Sequence, residues 1–153
     1  MDIDPAAASE LMDKYFKRFG GIRDYLKTVV ISAKEKGYTE TVLGRRRYLP
    51  DLNHENRQRR EIAERAALNA PIQGSAADII KIAMLKVSKQ ISKYNLKSRL
   101  LLQVHDELIL EVAVGEKENL KEIVKSEMEN AYKLRVPLDV NIGLGKSWDL
   151  AAH

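Results

Sequence analysis

Two short apolar runs on either side of a polar pair constrain this chain most strongly. The segment 100–112 reads LLLQVHDELILEV, and its parts 100–104 and 107–112 have the composition of β-strands. Only His105 and Asp106 lie between them, and a connection of two residues joins antiparallel strands. The sequence therefore predicts an antiparallel hairpin and excludes an all-helical fold.

Helical periodicity dominates the rest of the chain, because apolar residues recur at intervals of three or four positions. Helices are predicted near residues 5–19, in the next segment up to Gly37, from Ser75 to Ile91 and near 116–132. Amphipathic helices bury one apolar face, so they are expected to pack on the sheet that contains the hairpin. The sequence thus predicts an α+β fold with helices packed on a small antiparallel sheet.

Three further patterns predict where elements begin and end. Pro71 lacks a backbone N–H, so a helical stretch near 56–69 is predicted to break there. Ser75 and Asp78 have the spacing of a capping box, which predicts that a new helix begins at Ser75. Alternating apolar residues over 136–142 predict a last strand.

Positive charge is concentrated in one segment. The chain has 26 Lys and Arg against 22 Asp and Glu, and residues 45–60, RRRYLPDLNHENRQRR, contain six of the arginines. A short hairpin predicted between Tyr38 and Leu49 would display the first three. Arginine makes planar, bidentate hydrogen bonds to phosphate, so the segment favours nucleic acid as a partner. A solvated surface segment is the alternative. The three arginines are Arg45, Arg46 and Arg47.

Composition excludes several classes of protein and site. The chain has no cysteine and three histidines, which excludes disulfides and thiol nucleophiles and leaves oxygen ligands for any metal. It has no run of about 18 apolar residues, so no membrane span is predicted. The N-terminal residues also lack the pattern of a secretory signal, so a cytoplasmic location is expected.

The turn of the predicted hairpin is a candidate metal site. His105 and Asp106 stand where a two-residue turn favours glycine. Asp106 and Glu107 are adjacent carboxylates, and Mg²⁺ prefers oxygen ligands. Two simpler interpretations remain open, since aspartate is common in turns and a glutamate at a strand end is usually just exposed. His105 is equally open between a surface residue and a donor to a substrate oxygen.

A third polar cluster lies in the stretch ERAALNAPIQG. Arg65 and Asn69 are four residues apart and share a helix face, and Gln73 follows the predicted break. Alanines on such a helix permit close approach, and these side chains can reach the hydrogen-bond acceptors common to all base pairs in a minor groove. Taken singly, each residue is explained by capping or by surface polarity.

Four blocks, in order, resemble the DNA polymerases of family A, the bacterial DNA polymerase I type. They are GRRRYLPDL (44–52), ERAALNAPIQGSAADIIK (64–81), LLQVHDELILEV (101–112) and VPLDVNIGLGKSWDLAAH (136–153). The helices around YFKRFGGIRDYL precede them. The resemblance implies that residues 1–60 are the end of the fingers subdomain, with a basic hairpin. It also implies that residues 61–153 are the C-terminal part of the palm subdomain.

The resemblance also implies roles for the candidate residues. Asp106 would bind the catalytic Mg²⁺ ions, Glu107 would be the supporting acidic residue, and His105 would approach the primer end. The arginines at 45–47 would face DNA phosphate. Near the minor groove of the primer–template would lie Arg65, Asn69 and Gln73. The reaction implied is attack of a primer 3′-hydroxyl on the α-phosphate of a deoxynucleoside triphosphate, in DNA replication or repair at the bacterial nucleoid.

Two motifs of the family do not occur in these 153 residues. One supplies the other metal-binding aspartate, and the other is the fingers helix that grips the incoming nucleotide. A two-metal site without one of its aspartates loses most of its transition-state stabilisation, so the chain is expected to be inactive without a complementary polymerase fragment. The alternative is a non-catalytic DNA-binding remnant or module. A nuclease that uses Asp106 and Glu107 would need further carboxylates.

Overall fold

The computed structural model describes residues 4–151, which form two compact units, one ending at Ser75 and the other beginning at Ala76. The elements of the first unit are α1 (Pro5–Arg18), α2 (Gly20–Lys36), β1 (Tyr38–Glu40), β2 (Arg46–Tyr48) and a 3₁₀-helix (Pro50–Asn53). The helix α3 (Arg57–Lys93) begins in the first unit and continues into the second. The second unit adds β3 (Arg99–Val104), β4 (Glu107–Glu111), α4 (Lys117–Glu129) and the short α5 (Trp148–Ala151).

The first two helices form where the periodicity predicts them. Pro5 opens α1, as its fixed φ and missing N–H favour. Gly37 ends α2 with a left-handed φ of 77°, and its N–H donates to the Ala33 carbonyl at 2.8 Å. A small core joins α2, the 3₁₀-helix and the first part of α3. Its buried residues are Ala33, Leu49, Leu52, Ala63 and Ala67.

The apolar face of α1 is not buried within this unit. Leu11, Met12, Tyr15 and Phe19 are exposed, and Phe16 is half-buried. Apolar periodicity therefore predicts the helix correctly but says nothing of what covers its face.

The predicted break at Pro71 is wrong, because residues 57–93 form one continuous helix with Pro71 inside it. The start predicted at Ser75 and its capping box with Asp78 are wrong for the same reason. A proline inside a helix removes one hydrogen bond and costs about 3 kcal/mol. Packing offsets this cost, since Ala67 before the proline is fully buried and Ser75 and Asp78 after it are buried too. The Ser75 hydroxyl donates back to the Pro71 carbonyl instead of capping a new helix.

The second unit has the predicted arrangement of helices packed on an antiparallel hairpin. The strands β3 and β4 pair as expected from the sequence. Their apolar side packs with the second half of α3 and with α4, through Leu110 on β4 and the buried Val87, Leu120 and Val124. The α+β fold is therefore confirmed. Within residues 4–151, no helix is both long and apolar enough to cross a membrane.

The strand predicted over 136–142 is wrong, because these residues form no strand. Burial nevertheless alternates as predicted: Leu138, Val140 and Ile142 are half-buried, whereas Asp139 and Asn141 are exposed. Among the described residues β3 and β4 form a two-stranded sheet, and a strand needs a neighbour to make ladder hydrogen bonds. The alternation of burial therefore reflects side-chain packing and not strand pairing, and Ile142 packs against the core of the second unit.

Candidate functional site

The first candidate region is the arginine hairpin, Tyr38–Tyr48, formed by β1, β2 and the loop between them. Tyr38 pairs with Tyr48 and Glu40 with Arg46. The loop is held by its own hydrogen bonds: the Thr41 hydroxyl accepts the N–H groups of Leu43 at 3.3 Å and Arg45 at 3.2 Å. Such bonds from a threonine stabilise a tight turn. The sequence prediction of a short hairpin is confirmed.

The loop of the arginine hairpin is anchored to α3. The Val42 N–H donates to the Ser75 hydroxyl oxygen at 2.9 Å, and the Arg45 guanidinium donates to the Gly74 carbonyl at 3.1 Å. Gly74 permits this close approach, since a Cβ there would lie 2.7 Å from the Thr41 methyl carbon. Two residues of α3, Gly74 and Ser75, therefore fix the position of the loop.

The three arginines of this hairpin have different surroundings. Arg45 is engaged with Gly74, as described. Arg46 donates to the Glu40 carboxylate at 2.8 Å and lies 4.5 Å from the centre of the Tyr38 ring. The hydrogen bond to Glu40 raises the pKa of Arg46 above its ordinary value. Arg47 is exposed and forms no ion pair within residues 4–151, so its charge is available to an external anion.

Helix α3 places the third polar cluster on its exposed side. Arg65, Asn69 and Gln73 recur every fourth residue and are all exposed, whereas Ala63 and Ala67 on the opposite face are buried. The continuous helix is what keeps the three polar side chains on one face, which the predicted break would have disrupted.

A shallow cleft brings one member of this cluster to the arginine hairpin. It is lined by Gln73 together with Arg45, Arg46 and Arg47. The helix residues Ala70 and Gly74 complete its wall, with β1 on the other side. The structure thus gathers three cations and one amide donor around one surface, and Arg65 and Asn69 continue along the same helix.

The second candidate region is the VHDE hairpin, Arg99–Glu111, formed by β3, β4 and the two-residue turn of His105 and Asp106. His105 has a φ of 53°, the positive value that tight hairpin turns require at their first central residue. The Gln103 side-chain amide donates to the His105 carbonyl and supports the turn. The turn predicted from the sequence is confirmed.

The side chains of His105, Asp106 and Glu107 are exposed at this turn. Neither carboxylate forms an ion pair with a basic side chain within residues 4–151, so both charges are uncompensated there. In the same part of the chain, no three histidine, aspartate or glutamate side chains cluster closely enough to hold a metal ion. The turn therefore offers two carboxylates as oxygen donors, but the described residues do not supply a third ligand beside them.

Three residues around these regions were missed or misread from sequence. Ser75 was read as a helix cap, although its distance of four residues from Pro71 is the spacing of a back-bonding serine. Ser98 lies just before β3 and Glu116 lies after β4, and they are hydrogen-bonded at the open end of the VHDE hairpin. They gave no local signal because they are 18 residues apart.

The sequence pattern of DNA polymerase family A matches residues 1–150. The chain is 61% identical over all 153 residues to DNA polymerase I of Mycobacterium tuberculosis and of Mycobacterium bovis, and 60% identical to that of Mycobacterium leprae. It spans 17% of the length of these curated relatives. A solved structure, the POL domain of Pol1 from M. smegmatis in complex with DNA primer-template and dNTP, matches 99% of this chain and 27% of that one. The TM-score is 0.96 and the identity 61%.

Proposed function

This chain belongs to DNA polymerase family A, and we propose that it supplies part of the active site of a DNA-directed DNA polymerase. The observation that carries the proposal is the match to a polymerase domain solved with primer–template and nucleotide, which extends over 99% of the chain. In this proposal residues 1–60 are the end of the fingers and residues 61–153 the C-terminal part of the palm. Its substrates are primer–template DNA and deoxynucleoside triphosphates, in replication and repair at the bacterial nucleoid.

The cleft beside α3 is the proposed DNA-binding surface. Arg47, exposed and without an ion pair in the described residues, contacts a backbone phosphate, and Arg45 and Arg46 add charge from fixed positions. Asn69 and Gln73 donate hydrogen bonds to minor-groove acceptors, which are shared among base pairs and so read duplex shape and not sequence. Arg65 extends this contact along the same face of the helix.

The turn of the VHDE hairpin is the proposed metal-binding point. Asp106 and Glu107 are hard oxygen donors, and Mg²⁺ is commonly held by one or two carboxylates together with water and substrate phosphates. The two residues therefore fit such an ion, with Asp106 as the principal ligand and Glu107 in support. When bound, the ion supplies Lewis-acid stabilisation of the oxygens that attack and leave.

The proposed reaction transfers a nucleotide to a primer. The primer 3′-hydroxyl loses its proton to water, its oxygen forms a bond to the α-phosphorus, the bond from that phosphorus to the bridging oxygen breaks, and pyrophosphate leaves. His105 is positioned on the turn beside Asp106 and is proposed to approach the primer end. The arginine hairpin and the polar face of α3 hold the duplex, which keeps the reacting oxygen in place.

The chain alone is proposed to be inactive in primer extension. It spans 17% of the length of its curated relatives, and the described residues hold no cluster of three candidate metal ligands. A complementary polymerase polypeptide is therefore the proposed partner that completes the site. A second candidate, a non-catalytic DNA-binding module, is favoured by one observation: the arginine cleft is formed within one unit, whereas no group of three possible metal ligands occurs among the described residues.

Replacement of a homologous segment tests these alternatives. In the grafted polymerase, this chain takes the place of the matching residues of the M. tuberculosis enzyme, to which it is 61% identical. Primer extension by the grafted polymerase with Mg²⁺ and all four nucleotides supports the polymerase role. Binding of primer–template without extension, when the unaltered M. tuberculosis enzyme extends under the same conditions, contradicts it and favours the module.

A further inference from the structure

The arginine hairpin carries two tyrosines that the proposed function does not use. Neighbouring residues of a strand point to opposite faces, so Arg46 and Tyr48 share one face of β2 and Arg47 points to the other. Directly paired residues of antiparallel strands point to the same face, which adds the β1 partners of Arg46 and Tyr48. The resulting surface, the tyrosine face, consists of Tyr38, Glu40, Arg46 and Tyr48.

The side chains of the tyrosine face hold one another in place. The ring centres of Tyr38 and Tyr48 lie 5.5 Å apart, with the ring planes inclined at 61°. The Arg46 guanidinium lies 4.5 Å from the centre of the Tyr38 ring and donates to the Glu40 carboxylate at 2.8 Å. The hydrogen bond to Glu40, followed by one to the Tyr48 side chain, raises the pKa of Arg46 above its ordinary value. The surface is therefore formed before any ligand binds, which lowers the entropy lost on binding.

Tyr48 is the most exposed of the six tyrosines, at 68%. A ring with that exposure keeps one of its faces open to solvent. The cross-strand pair with Tyr38 stabilises the hairpin, but this role needs contact between the two rings and does not need an open face. The open face of Tyr48 is therefore available to a planar ligand.

The tyrosine face adjoins the proposed DNA-binding cleft through Arg46. This residue lines the cleft together with Arg45 and Arg47, and it also contacts the Tyr38 ring. A nucleic-acid strand that leaves the cleft along β2 therefore meets the Tyr48 ring directly after Arg47. Bases within a duplex are paired and stacked on one another, whereas an unpaired base has free faces that stack on aromatic side chains. In a primer–template, the unpaired bases belong to the template overhang.

We propose that Tyr48 is a stacking site for an unpaired base of the template overhang, with Tyr38 and Arg46 holding its ring in position. This role rests on the proposed DNA-binding cleft and extends it from the duplex to the single strand. Every base has a π face, so the site is expected to hold purines and pyrimidines without strong preference. Tyr48 binds the strand and takes no part in the chemistry.

Equilibrium DNA binding by the whole chain of 153 residues tests this site without metal or nucleotide. Two primer–template DNAs are compared by fluorescence anisotropy: one has a 5′ template overhang of ordinary nucleotides, and the other has an overhang of equal length without bases. The two carry the same phosphates, so the ratio of their affinities reports contacts to the bases. Wild type is expected to bind the first DNA at least about fivefold more tightly, the effect of one stacked base.

Substitutions of Tyr48 identify the ring that is responsible. Tyr48→Phe keeps the π face and is expected to keep the preference for bases. Tyr48→Leu keeps an apolar side chain beside Tyr38 but has no π face, so it is expected to reduce the preference to less than about twofold. Tyr94→Ala is the control and is expected to keep the full preference. Tyr94 is also exposed and lies 5.3 Å from the Lys93 ammonium, measured to the ring centre, but it belongs to the second unit.

The affinity ratio decides each outcome. Equal affinity of the wild-type chain for the two DNAs overturns the stacking site. A Tyr48→Leu chain that keeps the wild-type ratio also overturns it, even if both affinities fall. If Tyr48→Leu does not fold, Tyr48→Thr decides by the same ratio, because threonine favours a strand and also lacks a π face.

Failure of this site and failure of the proposed function give different results. A grafted polymerase that does not extend primers contradicts the polymerase role and leaves the base preference of the chain intact. An active graft, together with a chain that binds both DNAs equally, overturns the stacking site alone. Absence of binding to either DNA contradicts the proposed cleft, and the stacking site fails with it.

Discussion

The chain carries two antiparallel hairpins that are held at opposite ends. The arginine hairpin is anchored at its loop, where Val42 and Arg45 bond to Ser75 and Gly74 on α3. The VHDE hairpin is fixed at its open end by the Ser98 hydroxyl, which donates to Glu116 and accepts from the Ala113 N–H, and its turn is exposed. The charges of the first hairpin therefore lie beside its anchor, whereas the carboxylates of the second lie at the end away from its anchor.

The two hairpins also differ in whether their charged side chains have partners within the same unit. In the arginine hairpin, Arg46 is paired with Glu40 and Arg45 is bonded to backbone, so its surface is formed within the unit. At the VHDE turn, Asp106 and Glu107 have no ion pair among the described residues. We propose that the first surface binds a polyanion by itself, whereas the second needs groups contributed from elsewhere to hold a metal ion.

Asp106→Ala in the grafted polymerase should lower the rate of primer extension by about 10³-fold or more, because removal of a metal-binding carboxylate costs several kcal/mol of transition-state stabilisation. Its affinity for primer–template should stay within about threefold of wild type. Single-turnover extension and equilibrium DNA binding measure the two quantities. Asp139→Ala, an exposed carboxylate in the same unit, is the control. A variant of Asp106 that keeps a tenth of the wild-type rate contradicts the assignment.

Gly74→Ala should destabilise the chain by about 1–3 kcal/mol, the usual range for overpacking. A Cβ at this position would lie 2.7 Å from the Thr41 methyl carbon, and Thr41 is held in place by the hydrogen bonds of its hydroxyl. Urea unfolding measures the free energy. Gly21→Ala is the matched control, since a Cβ there meets nothing within 4 Å and α2 favours alanine. Equal stability of Gly74→Ala and wild type would mean that the loop is not anchored here.

Arg47→Gln should weaken binding of primer–template by this chain and reduce the slope of log K against log salt by about 1, as expected when one phosphate contact is lost. Fluorescence anisotropy between 50 and 200 mM salt, roughly the range over which such contacts are sensitive, measures the slope. Lys14→Gln removes one positive charge from α1 and serves as the control. An unchanged slope for Arg47→Gln, with the slope of Lys14→Gln also unchanged, removes Arg47 from the DNA-binding surface.

Glu116→Gln should flatten the dependence of stability on acid pH, and this is the smallest of the expected effects. Hydrogen bonds from Lys97 and Ser98 lower the pKa of Glu116 below the ordinary value of about 4.5. The carboxylate therefore stabilises the fold above pH 4.5, and this contribution is lost as the pH falls through the lowered pKa. Urea unfolding of wild type and variant at several pH values between about 3 and 7 compares them. Parallel curves would contradict the role of the charge.

Local patterns predicted the elements of this chain better than its long-range contacts. The hairpin and the turn at His105 and Asp106 follow from strand composition on both sides of two residues. Pro71 was misread because its local cost is offset by packing along α3, which no window of sequence contains. The alternation over 136–142 predicted which side chains are buried, but a ladder needs a partner strand, and the local pattern does not supply one.

In the candidate sites, too, sequence patterns identified neighbours in the chain but not contacts between distant residues. His105, Asp106 and Glu107 are neighbours in sequence and were found together. The approach of Gln73 to the three arginines of the hairpin was not predicted, because it follows them by 26 to 28 residues in the chain and meets them only through folding. The bond between Ser98 and Glu116 was missed for the same reason.

We propose that this chain holds only part of a polymerase site, and primer extension with the purified chain tests that most directly. The chain is assayed with Mg²⁺ and four nucleotides, alone and mixed with an M. tuberculosis polymerase that lacks the matching residues. We expect no extension by either polypeptide alone, extension by the mixture, and loss of that extension in Asp106→Ala. Extension by the chain alone that disappears in Asp106→Ala would contradict it, since the site would then be complete within these 153 residues.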